Sequence, residues 1–285
     1  MYSGPLINIH AHLHKSDDIP GRMAIWRKWK VRKIVCLSVH KRWEAAGYLG
    51  NEDHLPLIKR YPDIIAAFAA VNLMAGQTDA PEQIDRYKGQ GFTGLKFEDN
   101  TYPYNHAAYW PLYERAQALG MPILFHTGWL APVVTKDGVH HDGPDGIDAE
   151  NMRPYLLDKV ARSFPGLTII GAHLGLPHSH EALQMMEAYP RVYFDFCGGG
   201  GAKPHLRKVA AALMPPLPDA DMTNPEEHPA LGLFERKLMF GTDNPEPDVW
   251  VPAAEWIMDK LRIPEKIRVN FYCKTAAALF GWKIE

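Results

Sequence analysis

Cysteine is scarce in this chain: there are three among 285 residues, Cys36, Cys197 and Cys273. Their wide separation and odd number exclude a disulfide framework or a zinc ribbon and fit a reducing compartment. An excess of one charge is missing too. Lys and Arg number 31 against 33 Asp and Glu, for a formal net charge of −2. No basic field is therefore present to draw in nucleic acid or an anionic membrane. No apolar run approaches the roughly 20 residues that span a bilayer. The first residues enter an apolar strand at Leu6 without a charged-then-apolar leader, and there is no internal repeat, low-complexity tract or linker. The expectation is one domain over residues 1–285, cytoplasmic, acting on a small molecule. A homodimer is the default of the fold class argued below.

What the chain has is apolar residues, 46% of the total, and 14 histidines. The apolar residues fall into eight short runs: Leu6–His12, Lys33–Val39, Ile64–Val71, Gly94–Glu98, Pro122–Thr127, Leu167–His173, Val192–Phe196 and Lys237–Thr242. Runs of this length, rich in Ile, Leu, Val and Phe, suit strands buried on both faces of a parallel sheet. Amphipathic segments separate them, among them His106–Leu119, Asn151–Ser163 and Pro252–Leu261. In the first, Tyr109, Leu112, Tyr113, Ala116 and Leu119 recur at helical spacing. Eight alternating units predict an α/β fold, a single (β/α)8 TIM barrel, which typically takes about 250 residues. A doubly wound open sheet is the fallback. Three connections are long or unusual: Trp129–Glu150, the glycine run Gly198–Gly201, and Met214–Pro229. Such loops are commonly lids or binding loops.

The histidines sit where the strands end. His10 and His12 flank Ala11 on the first strand, and residues two apart share a face. Two convergent imidazoles are half of a site for zinc or a similar ion. His126 ends the fifth strand before Thr127 and Gly128, and His173 ends the sixth before Leu174 and Gly175. Asp243 closes the eighth after Gly241 and Thr242. Any one of these could be a satisfied core residue. Five metal-competent groups at four strand ends point instead to one mouth of a barrel, the face where such folds assemble active sites.

The order His-x-His, His-Thr-Gly, His-Leu-Gly, Gly-Thr-Asp resembles the amidohydrolase superfamily, and within it amidohydrolase family 2, a branch of hydrolases, lactonases and aromatic-acid decarboxylases. The likeness extends to Tyr61-Pro62-Asp63, Gly94-Leu95-Lys96-Phe97 and Phe164-Pro165-Gly166-Leu167. It implies that His10, His12, His126 and Asp243 hold a divalent metal and that His173 polarises or protonates the substrate. The close of the chain, Cys273 to Gly281, lacks the Asn-Ala pair common in the family. Lys96 stands where some superfamily members carry a carbamylated lysine bridging two metals; an ion pair or substrate contact is the other reading. Glu98 would share its face and is a candidate substrate contact, as is Trp129.

The expected reaction is hydrolysis of an ester, lactone or amide carbonyl, since a bound divalent ion brings the pKa of its water from 15.7 toward about 7. Asp243 would carry the proton from water to leaving group, and His173 would steady the oxyanion. Zinc suits the donor set, and manganese, cobalt or iron would also bind. The alternative is non-oxidative decarboxylation of an aromatic acid on the same scaffold, with Tyr102, Tyr104 and Trp129 offered for the ring. A barrel without catalysis is the third reading. His14, His140, His141, His178 and His180 read as loop residues, and Cys197 lacks the adjacent base a nucleophile needs.

Overall fold

The structure is a computed structural model that describes residues 1–131, 134–135, 138–139, 147–214, 224, 227–228, 230–244 and 246–284. Much of the two long connections, with His140 and His141, lies outside that set. Seven of the predicted runs form strands: β1 (Leu6–Ala11), β2 (Val31–Leu37), β3 (Ile65–Ala70), β4 (Gly94–Phe97), β5 (Ile123–Phe125), β6 (Ile169–Gly171) and β7 (Val192–Phe194). They pair side by side in chain order, all parallel. Parallel neighbours need a crossover, and the helical segments between the strands provide it. The result is an α/β sheet of the TIM-barrel type.

The eighth predicted strand is corrected. Residues 238–243 form no regular strand, yet they touch both edges of the sheet. Leu238 pairs in parallel with Phe194 of β7, and Asp243 with Ala11 of β1. Backbone hydrogen bonds run from Met239 to Phe194 (2.9 Å), from Ile9 to Phe240 (2.9 Å) and from Asp243 to His10 (2.8 Å). Two features break the ladder between these contacts. The N–H of Phe240 donates to the Phe271 carbonyl at 3.0 Å instead of to a strand, and Asp243 takes a left-handed backbone with φ +58°.

Strand ends are shorter than the apolar runs. Glu98, His126, His173 and Asp195 all lie just past their strands, on the turns that follow. The helix expected over Pro252–Leu261 instead spans Pro247–Lys260, because Pro247 fits the first helical turn, where its missing N–H has no partner to lose. The one expected over Asn151–Ser163 is regular only from Leu157.

On one face of the curled sheet, Ile7, Ile9, Val35, Leu37, Phe68, Leu124, Ile170 and Met239 form one apolar cluster with Cys273, Ala276 and Ala277 of the C-terminal helical segment. A second, larger cluster fills the space between strands and surrounding helices. The floor of any cavity at the upper mouth is therefore a packed plug of side chains. Among the described residues, no helix is long and apolar enough to cross a membrane.

Candidate active site

A break in register along β1 shapes the site. Asn8 faces Ile34 and Ala11 faces Cys36, so three steps on β1 match two on β2. An extra residue of this kind bends a strand and re-aims its side chains. Ile9 stays in the inner cluster, while His10 and His12 turn toward Asp243. Asn8 braces the bend, donating to Thr242 Oγ1 at 2.8 Å and accepting from the His10 N–H at 3.1 Å.

The outcome is a triangle of ligand atoms. His10 Nε2 lies 3.4 Å from His12 Nε2, and Asp243 Oδ1 lies 3.6 and 3.7 Å from the two nitrogens. Ligand atoms around a tetrahedral ion with bonds of about 2.0–2.1 Å stand roughly 3.3 Å apart, so the edges suit a small divalent cation. Protonation fits as well. Burial, then the nearby His10 and Lys96, drives the His12 pKa well below the ordinary histidine value, which keeps the ring neutral as a metal requires.

A second set of metal-competent atoms shares His10: His173, Asp195 and Cys197 also converge on it. Those groups already satisfy one another. Asp195 Oδ2 accepts from His10 Nδ1 at 2.8 Å. Its Oδ1 accepts from the His173 N–H (2.9 Å), the Cys197 N–H (3.1 Å) and the Cys197 thiol (3.0 Å). Burial pushes the Asp195 carboxyl up, but the adjacent His10 and its hydrogen bond outweigh that and hold it below the usual carboxylate range. Burial, with the carboxylates of Asp195 and Asp243, raises the Cys197 thiol, so it stays protonated. This set is the support of the triangle rather than a second ion site.

Asp195 was not singled out in the sequence, although the signal was there. It follows the apolar run Val192–Phe194, the same pattern that marked Asp243.

His126 stands apart from the triangle. No group of three metal-competent atoms among the described residues includes it. Its Nε2 lies 3.2 Å from the Trp129 carbonyl and its Nδ1 lies 3.3 Å from Glu98 Oε1. Lys96 is shut from solvent, among the described residues its Nζ has no hydrogen-bond partner, and Glu98 Oε2 is 3.9 Å away. Lys96, Glu98 and His126 thus make a chain along one side of the site.

His173 sits between the two sides, its ring centre 5.1 Å from His10 and 4.8 Å from His126. Its Nδ1 lies 2.8 Å from the Cys197 carbonyl. A carbonyl can only accept, so Nδ1 carries the proton, and in the neutral ring Nε2 is left as a lone pair. Burial lowers the His173 pKa, which favours that neutral form. The glycine that follows His126 and Thr127 is required by close approach: Gly128 has φ +85°, and a Cβ there would meet the Leu176 carbonyl at 2.0 Å. The turns after β5 and β6 dock backbone to backbone at this point.

A cavity of about 570 Å³ opens above these groups and reaches His12, Glu98, His126, His173 and Asp243. Trp129 lines it, 68% exposed. Tyr102 and Tyr104 do not: Tyr104 is buried, its one hydroxyl proton shared between the His126 carbonyl (2.8 Å) and the Phe97 carbonyl (3.2 Å), and Tyr102 stacks on His106. The cavity also recruits Trp43, Tyr48, His205, Lys208 and Asn244, which no sequence pattern marked. His14 lies elsewhere, held by Ser16 and the Ala46 carbonyl.

The amidohydrolase family model matches residues 31–282. The match begins after β1, so the pairing of His10 and His12 rests on the geometry above. No protein of curated function matches in sequence. Solved structures share the fold. One is 2,6-dihydroxybenzoate decarboxylase from Rhizobium, with 17% identity, TM-score 0.61, and 97% and 98% of the two chains covered. Another is a dihydroxybenzoic acid decarboxylase from Polaromonas with manganese and the inhibitor 2-nitroresorcinol, at 15%, 0.60, and 99% and 98%. A third is an amidohydrolase from Burkholderia multivorans with bound zinc, at 13%, 0.61, and 98% and 99%.

Proposed function

Because this chain belongs to the amidohydrolase family and is an enzyme, we propose that it hydrolyses an ester, lactone or amide carbonyl of a small molecule, using one divalent ion, with residues 1–285 acting as one domain. The observation that carries the reading is the triangle of His10 Nε2, His12 Nε2 and Asp243 Oδ1, with edges of 3.4, 3.6 and 3.7 Å, at the base of the cavity. Zinc fits two imidazoles and a carboxylate, and manganese is the next choice; structures of the same fold hold one or the other. Such an ion supplies Lewis acidity, polarising a carbonyl and making water a better nucleophile near neutral pH.

The side chains divide the remaining work. Asp243 Oδ takes the proton from the attacking water and returns it to the leaving group; its carboxylate is the 17%-exposed member of the triangle, open to the cavity. His173 offers a lone pair at Nε2, so in its resting form it orients water or a substrate hydroxyl. It must first take up a proton to steady an oxyanion. Glu98 and His126 face the cavity from the opposite side, and Lys96 neutralises Glu98 from below. A carbamylated Lys96 belongs to a two-metal version of this site.

Decarboxylation of an aromatic acid is the second reading, favoured by Trp43, Tyr48 and Trp129 along the cavity and weakened by the absence there of Tyr102 and Tyr104. The test is an assay of metal-loaded protein on ester, lactone, amide and aromatic-acid panels, with detection of both acid release and carbon dioxide. Asp243→Asn is expected to abolish turnover in a folded protein. Carbon dioxide release, or full activity of that variant, would overturn the hydrolase reading.

A further inference from the structure

The charged groups around the cavity are unevenly partnered. Glu98 faces His126 and Lys96, and Asp243 faces His10 and His12. Lys208 is the one Lys or Arg among the lining residues, and among the described residues its side chain forms no ion pair or hydrogen bond. Asn244 lines the cavity beside the turn that carries Asp243, and among the described residues its amide is likewise unengaged.

The wall on the Lys208 side is bare backbone. Gly198 and Gly199 line it with φ +120° and +57°, and a Cβ on Gly198 would meet His173 Nδ1 at 2.8 Å. Beyond them the helix Lys203–Leu213 presents His205 and Lys208, three residues apart and so on one face. His205 Nε2 donates to the Phe196 carbonyl at 3.1 Å, which pins that ring and leaves Lys208 as the free donor of the pair. The lining also includes apolar side chains, Val39, Leu130, Leu176 and Pro177.

We propose that Lys208, with Asn244, forms a subsite for a carboxylate on the substrate, remote from the carbonyl that reacts. The inference rests on the hydrolase reading and narrows it to carbonyl compounds that are also acids. An ammonium beside apolar walls focuses its field into the cleft and raises the local concentration of anions. One ammonium and one amide match the two oxygens of a carboxylate; a phosphate dianion calls for more donors.

The experiment measures binding of isophthalate and of 3-acetylbenzoate to the metal-loaded full chain by calorimetry. One carboxylate of either probe can reach the floor; the second group is charged in the first probe and neutral in the second. The wild type is expected to prefer isophthalate by roughly three- to tenfold at low ionic strength, with the preference shrinking as salt rises. Lys208→Gln should bring the two probes within about twofold, and Lys208→Arg should keep most of the preference. No preference in the wild type, or an unchanged one in Lys208→Gln, overturns the proposal. The hydrolase reading fails separately, on turnover. A preference that Lys208→Gln removes, in a protein that releases no acid from any carbonyl substrate, keeps the subsite and sinks the reaction.

Discussion

His10 Nδ1 lies 2.8 Å from Asp195 Oδ2, with both side chains completely shut from solvent. An ionised carboxylate only accepts hydrogen bonds, so it fixes the proton on Nδ1 and turns a bare Nε2 toward His12 and Asp243. The three donors on the other oxygen of Asp195 hold its plane in place. His12 has no such support, because its Nδ1 is buried without a partner among the described residues.

Asp195→Asn reverses this polarity. The amide would present N–H to His10 Nδ1 and drive the proton to Nε2, where it competes with a metal. Metal affinity is expected to fall about 10- to 100-fold, the usual effect of losing an outer hydrogen-bond partner, in a folded protein. Nitrogen NMR of His10 in the metal-free state should show the proton on Nδ1 in the wild type and on Nε2 in the variant. An unchanged tautomer with unchanged affinity would contradict this role.

His173→Asn separates catalysis from metal binding. The backbone there is left-handed, with φ +61°, and asparagine accepts that conformation better than most residues. The fold and metal affinity should survive within a few-fold, while kcat falls by about 10² to 10⁴. Turnover near the wild-type rate would remove His173 from the reaction.

How much of this was legible in the sequence follows from what each pattern encodes. Strand alternation brought His10 and His12 together, and an apolar run ending in a carboxylate marked Asp243. Neither pattern encodes where a strand bends, so the register break in β1 went unseen. His126 read as a fourth partner of the triangle, but a strand end does not specify a side-chain torsion, and the ring turns to Glu98 and the Trp129 carbonyl. Lys208 and Asn244 lie on a helix and a turn whose packing against the mouth is set by tertiary structure alone. The eighth run, expected as a strand, makes only isolated bridges to β7 and β1, because the diversion of the Phe240 N–H to Phe271 depends on a segment about 30 residues on.

Acid stability should report His54, which is fully buried, its Nδ1 2.9 Å from Ser38 Oγ and 3.0 Å from the Gly50 carbonyl. Burial pushes its pKa down to about 4. A ring neutral when folded and titrating near 6.5 when unfolded gives stability that is fully present above pH 6.5. That stability is lost as pH falls toward 4, by up to about 3 kcal/mol. His54→Gln should flatten this part of the urea-denaturation profile between pH 7 and 4.5. An equally steep loss in the variant would assign the acid sensitivity elsewhere.

The most direct measurement is calorimetric titration of metal-free protein with Zn²⁺, comparing the wild type with His10→Ala, His12→Ala and Asp243→Asn. One tight equivalent is expected in the wild type, weakened at least tenfold in each variant while the folded state persists. Tight binding that survives in all three variants would place the ion elsewhere and contradict the assignment of the triangle.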